Sequence, residues 1–229
     1  IHGTCSTYYT GGSYQKSNHE QVNNTYEIII MGLSQVITVW QSHFWRKRMN
    51  GILCADMDNT IIYSYKRNIG ENKLNVELYN GREISFISEK THDLLKKVSE
   101  KMTIIPTSTR TEEQYKRIDL DIGIVPYALV CNGGVLLVNG KRDREWYLES
   151  LQMIRNSRPE MEKAQQILAG DSRRKFELRF LDELFIFTKC EKPEEVVEDL
   201  QAKLTTKLVD VFHNGEKVYV VPVNLSKGM

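Results

Sequence analysis

Residues 56–60 read Asp-Met-Asp-Asn-Thr, two carboxylates one residue apart, directly after the apolar run Ile52, Leu53, Cys54, Ala55. Close carboxylates repel each other unless a cation, a proton or a ligand neutralises them. A divalent metal that takes hard oxygen ligands, most simply Mg²⁺, meets that need. A second polar cluster, Thr107, Ser108, Thr109 and Arg110, follows the apolar run from Met102 to Pro106. Hydroxyls, the free amides at a helix start and a lysine are what a phosphate group needs. Blander readings stand beside these. Asp-x-Asp is a common turn former, and Thr109 with Glu112 makes a capping box. A calcium-binding loop is excluded, because its sixth position would be Ile61 rather than Gly and its twelfth Arg67 rather than Glu.

The surrounding pattern says how these groups are held. Ile52 to Ala55 reads as a strand, and 61–87 as alternating stretches with a hairpin turn at Asn80-Gly81. A helix is expected from Ser88 with Leu94, Leu95 and Val98 on one face, then a strand from Met102 to Pro106 and a helix from about Thr111. Tyr127 to Cys131 is another strand, ending in Asn132-Gly133-Gly134. Alternating strands and helices build a parallel sheet. Ligands of such sheets bind outside the carboxyl ends of the strands, where both polar clusters fall. Beyond, 143–168 predicts one long helix. Strands over 175–179 and 184–189, a helix from Pro193 and a hairpin at Asn214-Gly215 complete a smaller α+β unit.

Composition narrows the partners. The 229 residues carry 31 Lys and Arg against 30 Asp and Glu, a balance that argues against nucleic acid or a membrane surface. The apolar stretch from Ile28 to Trp40 is too short to span a bilayer. Cys5, Cys54, Cys131 and Cys190 form no Cys-x-x-Cys pair, so neither a zinc site nor a disulfide framework is expected. Free thiols suit a reducing compartment, the cytoplasm. Residues 1–48 are first polar, then β-prone, and close in Arg46-Lys47-Arg48. They read as an appendage to a domain that begins near Met49.

Four segments, in order, resemble the motifs of haloacid dehalogenase-like (HAD) phosphatases. "DMDNT" is similar to their first motif, "IIPTSTR" to the second and "VVPVNLSKGM" to the third. "VCNGG" resembles a segment of the subgroup that carries an α/β cap after the second motif, the Cof-type or C2 cap. The resemblance covers Met49 to Met229. It implies an α/β fold, a Rossmann-like parallel-sheet HAD core with an inserted α+β cap domain. On that reading 49–134 is core, 135–215 cap and 216–229 the return to the core.

The resemblance also implies roles. Asp56 would be the nucleophile that forms an aspartyl-phosphate, and Asp58 the general acid and then base. The Asp56 carboxylate and the Asp58 backbone carbonyl would bind Mg²⁺. Ser108 would hydrogen-bond the phosphate, or Thr107 if the alignment slips by one. Lys227 would offset the negative charge. Asn59, Thr60 and Thr109 would lie against phosphate or substrate, and Arg110 and Asn132 near the substrate or the cap hinge, with a turn role for Asn132 equally open. The substrate would be a small phosphorylated metabolite such as a sugar phosphate. A phosphomutase of the same fold and a non-catalytic binding or regulatory protein are the other readings.

Two departures stand out. Asn59 replaces the family's Gly, which Asn tolerates because it accepts left-handed backbone angles. The acidic fourth motif, Gly-Asp-x-x-x-Asp, has no counterpart. A truncated chain of little or no activity is therefore expected. Its unpaired sheet edge would invite self-association, unless the β-prone appendage covers that edge.

Overall fold

A strand buried on both faces needs an unbroken apolar run rather than alternation, and Ile52 to Ala55 supplies one. In the computed structural model, which describes residues 27–31 and 51–228, this run lies in a strand at the centre of the fold. Strand β1 (Glu27–Met31) lies parallel to β2 (Gly51–Asp56), with Glu27 opposite Gly51 and Met31 opposite Ala55. The edge of β2 away from β6 is thus paired along most of its length, by residues of the expected appendage. The rest of the expected appendage, and Cys5 with it, lies outside the described residues.

After β2 the chain makes an antiparallel three-stranded sheet from β3 (Tyr63–Ser64), β4 (Lys73–Tyr79) and β5 (Arg82–Ser88), in the order β3-β5-β4. Asn80 and Gly81 take φ of 51° and 73° at the β4–β5 turn, the left-handed pair a tight hairpin requires. Helix α1 (Glu89–Ser99) is capped by the Ser88 side chain, which accepts from the Thr91 amide. Its buried face is His92 and Leu95, while Leu94 points to solvent at 52% exposure, so the expected stripe is turned by one position.

Strand β6 (Thr103–Thr107), the short helix α2 (Glu112–Lys116) and strand β7 (Tyr127–Val130) follow. Strand β8 (Val135–Val138) folds back antiparallel onto β7 and β9 (Lys141–Arg142) onto β8, completing a six-stranded sheet β1-β2-β6-β7-β8-β9. Leu53, Ala55 and Ile104 pack on one side of it against Met57, Ile62, Ile87 and Leu95. Cys54, Ile105 and Leu129 pack on the other. The fold is α/β, as expected.

The expected helix over 143–168 is two helices, α3 (Arg144–Met153) and α4 (Arg158–Ala169), separated by a 3₁₀ turn at Arg155–Ser157. Pro159 explains the break: it has no N–H, and its ring clashes with the carbonyl four residues back. A second sheet, antiparallel and four-stranded, joins β10 (Arg179–Leu181), β11 (Phe185–Lys189), β12 (Val209–Asn214) and β13 (Lys217–Pro222) in the order β10-β11-β13-β12, with α5 (Pro193–Lys203) between β11 and β12. Phe176 and Leu178 precede β10 rather than lying in it, so the strand expected over 175–179 is displaced towards 181. One face of this sheet, with Ile186, Val211 and Val220, packs on Met161, Ala164, Leu168, Val196 and Leu200 of the helices. The first sheet keeps the chain through Arg142, past the boundary expected at 135. The second keeps it through Pro222, past the return expected at 216.

Candidate active site

Parallel pairing of β2 with β6 sets Asp56 opposite Thr107 at the carboxyl end of both strands. The Met57 amide donates to the Thr107 carbonyl (3.1 Å), and the Ser108 amide to the Leu129 carbonyl (2.8 Å). Three strand ends are thereby locked at one rim. Met57 and Ile62, both fully buried, anchor the turn that follows β2. Within it the Ile61 and Ile62 amides donate to the Met57 carbonyl and the Asn59 amide to the Ile62 carbonyl. Asn59 has φ 62°, the left-handed angle expected of it. With Met57 pinned inward, Asp56 and Asp58 stay at the rim, their side chains 20% and 40% exposed.

Lys227 comes to Asp56 from 171 residues away, its ammonium donating to Oδ1. The strap that carries it is docked on the turn after β7. There Cys131, Asn132 and Gly133 have φ of 52°, 59° and 93°. The Cys131 amide donates to the Arg110 carbonyl (2.7 Å) and the Asn132 amide to the Ser108 carbonyl (3.0 Å). Asn132 Nδ2 donates to the Leu225 carbonyl (2.9 Å). A Cβ on Gly133 would lie 2.4 Å from the Ser226 carbonyl oxygen, so only glycine permits this approach. Asn132 therefore spends its side-chain amide on joining the Ser108 loop to the Lys227 strap.

Ser108, 1% exposed, donates through its hydroxyl to Asp58 (3.3 Å) and accepts from the Arg110 amide (3.1 Å). Thr107 is fully buried, and its hydroxyl has no hydrogen-bond partner among the described residues. Thr109 is exposed at the loop tip. Asn59 Oδ1 accepts from Arg67 (2.8 Å), and the Thr60 carbonyl accepts from the Tyr63 hydroxyl (3.2 Å). The capping box expected at Thr109 and Glu112 sits two residues later, between Thr111 and Gln114.

Arg110 turns inward. Its Nε donates to both Asp58 oxygens (3.2 and 3.0 Å) and Nη2 to Asp58 Oδ1 (2.9 Å). Its Nη1 donates to Glu77 (2.8 Å), a residue the sequence reading passed over. Burial opposes the charge on Arg110, but hydrogen bonds and charges from Asp58 and Glu77 outweigh it and raise the guanidinium pKa. Glu77 is 1% exposed and also accepts from Ser85 (2.6 Å) and Arg117 (3.2 Å). Three carboxylates thus meet three cations in the ion pairs of Asp56, Asp58 and Glu77 with Lys227, Arg110 and Arg117. On the open face of the second sheet, burial and then the negative charge of Asp58 push the Tyr219 hydroxyl up to about 12. Phe187, Tyr219 and Phe212 form a row on that face, with ring centroids 5.3 and 5.2 Å apart.

The donor set bears on a metal. Among the described residues no group of three His, Cys, Asp or Glu is placed to hold one. Asp56 and the Asp58 carbonyl offer hard oxygens, with Lys227 on one carboxylate oxygen of Asp56. Mg²⁺ keeps several waters and is commonly bound by one or two carboxylates plus substrate phosphate, a demand to which the described residues bring the Asp56 carboxylate.

No protein-family model and no curated protein matches the chain. Solved structures similar to it include a sucrose-phosphatase from Synechocystis sp. PCC6803 in complex with sucrose and phosphate (16% identity, TM-score 0.45, 60% of this chain and 57% of that one). Others are a Plasmodium falciparum IMP-nucleotidase (12%, 0.45, 67% and 54%) and a Bacteroides thetaiotaomicron phosphatase of the haloalkanoate (HAD) superfamily (13%, 0.40, 82% and 72%). The chain thus spans little more than half the length of the first two. Likeness at this level assigns it neither a substrate nor an activity.

Proposed function

We propose that the site hydrolyses phosphate monoesters through an aspartyl-phosphate, in the manner of the HAD phosphatases whose motifs the sequence resembles. The observation that carries this reading is the meeting of Asp56, Asp58, Ser108 and Lys227 at one rim, drawn from strand ends, loop and strap far apart in sequence. Asp56 attacks phosphorus while the bond to the ester oxygen breaks, and Asp58 gives that oxygen its proton. Asp58 then takes a proton from the water that attacks the aspartyl-phosphate, which releases phosphate, frees the Asp56 carboxylate and returns Asp58 to its protonated form. Lys227 and the Ser108 hydroxyl are placed to stabilise the charge on the transferring group. Mg²⁺, when bound by Asp56 and the Asp58 carbonyl, would supply charge neutralisation at the phosphate oxygens.

A small sugar-phosphate-like ester is the substrate class we favour. The row Phe187, Tyr219 and Phe212 offers flat apolar faces of the kind that pack on a sugar ring. Buried free thiols at Cys54, Cys131 and Cys190 support a reducing, cytoplasmic setting. Among the described residues no helix is long and apolar enough to cross a membrane.

The test is phosphate release from p-nitrophenyl phosphate and a panel of sugar phosphates, with and without Mg²⁺, for the wild-type protein and Asp56→Asn. Mg²⁺-dependent release in the wild type and none in the variant is expected. Turnover surviving Asp56→Asn would remove the nucleophile from the scheme. Transfer of phosphate to a second hydroxyl of the substrate, without free phosphate, would instead make the protein a mutase.

A further inference from the structure

A fully buried carboxylate is costly, and a buried ion pair is weak evidence for stability, because apolar side chains of similar volume often serve as well. Glu77 is such a carboxylate, and it lies where alternation along β4 would have turned it to solvent. A bulge between Asn75 and Leu78 reverses the strand there, burying Glu77 beside Val76 while Leu78 and Tyr79 stay exposed at 58% and 48%. Asn75 Nδ2 fastens the bulge by donating to the carbonyls of Glu77 and Ser85 (both 3.1 Å). Bulges next to active sites commonly re-aim a side chain.

What Glu77 is aimed at is Arg110. A guanidinium is a planar fork whose orientation is set once one edge is held. Glu77 holds Nη1, and Ser85 accepts from Nη2 (3.4 Å). The edge of Nε and Nη2 then faces Asp58, which it meets with three contacts of 2.9 to 3.2 Å. Arg117 supplies Glu77 with a second cation and is itself stacked on Tyr79, 4.6 Å from the ring centroid. All three Arg110 side-chain nitrogens are committed to this network.

We propose that Glu77 is a positioning residue that acts through Arg110: it fixes the guanidinium that in turn orients the Asp58 carboxylate for proton transfer. The inference rests on the role given to Asp58 under Proposed function. It makes Arg110 a support of Asp58 rather than a contact of the substrate.

Glu77→Gln keeps the shape of the side chain and removes its charge. It should lower kcat by as much as ~100-fold, the scale of a misplaced catalytic group, with KM unchanged and the protein fully folded at the assay temperature. Arg110→Ala should leave a guanidinium-shaped gap lined by Asp58, Glu77 and Ser85. Millimolar guanidinium should therefore restore kcat to Arg110→Ala, and it should fail to do so in the Arg110→Ala, Glu77→Gln double variant. The double variant without guanidinium should be no slower than Arg110→Ala alone, because Glu77 has nothing left to position. The proposal is overturned if Glu77→Gln retains wild-type kcat, if the two losses multiply, or if guanidinium rescues the double variant equally. A second readout does not need turnover: guanidinium should raise the melting temperature of Arg110→Ala and not that of the double variant. If the wild type releases no phosphate, the proposed function fails by itself, and this melting difference still decides whether Glu77 and Asp58 share a guanidinium.

Discussion

Asp56 and Asp58 are the same residue type two positions apart, yet their partners differ. Asp56 has the Lys227 ammonium, while Asp58 has the Arg110 fork and the Ser108 hydroxyl. That division predicts different failures. Lys227→Met removes a cation aimed at developing charge and should lower kcat by roughly 10²–10³-fold, with every substrate affected alike. Asp58→Asn removes a proton donor, and its cost should depend on the leaving group. An alkoxide leaving from a sugar needs the proton, so turnover should fall by about 10²–10⁴-fold. Nitrophenolate leaves without help, so p-nitrophenyl phosphate should give a burst of one nitrophenolate per chain before a slow second step. Rapid-mixing assays of the two substrates make the comparison. Equal losses and no burst would take the acid–base role from Asp58.

At the scale of elements, the strap and the turn it rests on form the joint most open to test. Gly133 and Gly140 both have positive φ, 93° and 74°, but a Cβ on Gly140 meets nothing within 4 Å while one on Gly133 strikes the Ser226 carbonyl. Gly140→Ala should cost only backbone strain, about 1–2 kcal/mol. Gly133→Ala should cost more and also lower kcat, because the strap that moves carries Lys227. Equal destabilisation with activity intact in both would show that the contact is dispensable. These two glycines also mark what a sequence can disclose. Asp56, Asp58, Ser108 and Lys227 were legible because apolar runs end at the first three, and the order of segments resembling one family brings in the fourth. Glu77 was not, since a bulge cancels the alternation by which an exposed strand position is recognised. The turned inner face of α1 and the inward swing of Arg110 depend on what packs against them, which no local pattern encodes. The break before α4 was written in Pro159, whereas the return of β8 onto β7 depends on the tight turn between them, which no apolar pattern encodes.

For the molecule as a whole, the two sheets are not energetically separate. Val130, Val135 and Leu137 of the first share one buried cluster with Ile186, Val211 and Val220 of the second. Thermal unfolding should accordingly be one cooperative transition, and two resolved transitions would contradict a shared core. Acid should weaken it. Glu112, hydrogen-bonded to Lys116, and Asp171, hydrogen-bonded to Arg173, hold their pKa values below the ordinary carboxylate range. A folded pKa below the unfolded one gives stability that is complete above the unfolded value and is lost as pH falls through the folded one. The melting temperature should be flat from neutrality to about pH 5 and decline below about pH 4, and a rise there would refute the sign. The long reach from Asp56 to Lys227 has a temporal side as well. At ribosomal speeds of roughly 5–20 residues per second, the 171 residues between them take about 9–34 s to make. For that interval a nascent chain carries the acids without their lysine, so the site is assembled only when synthesis has passed through both sheets.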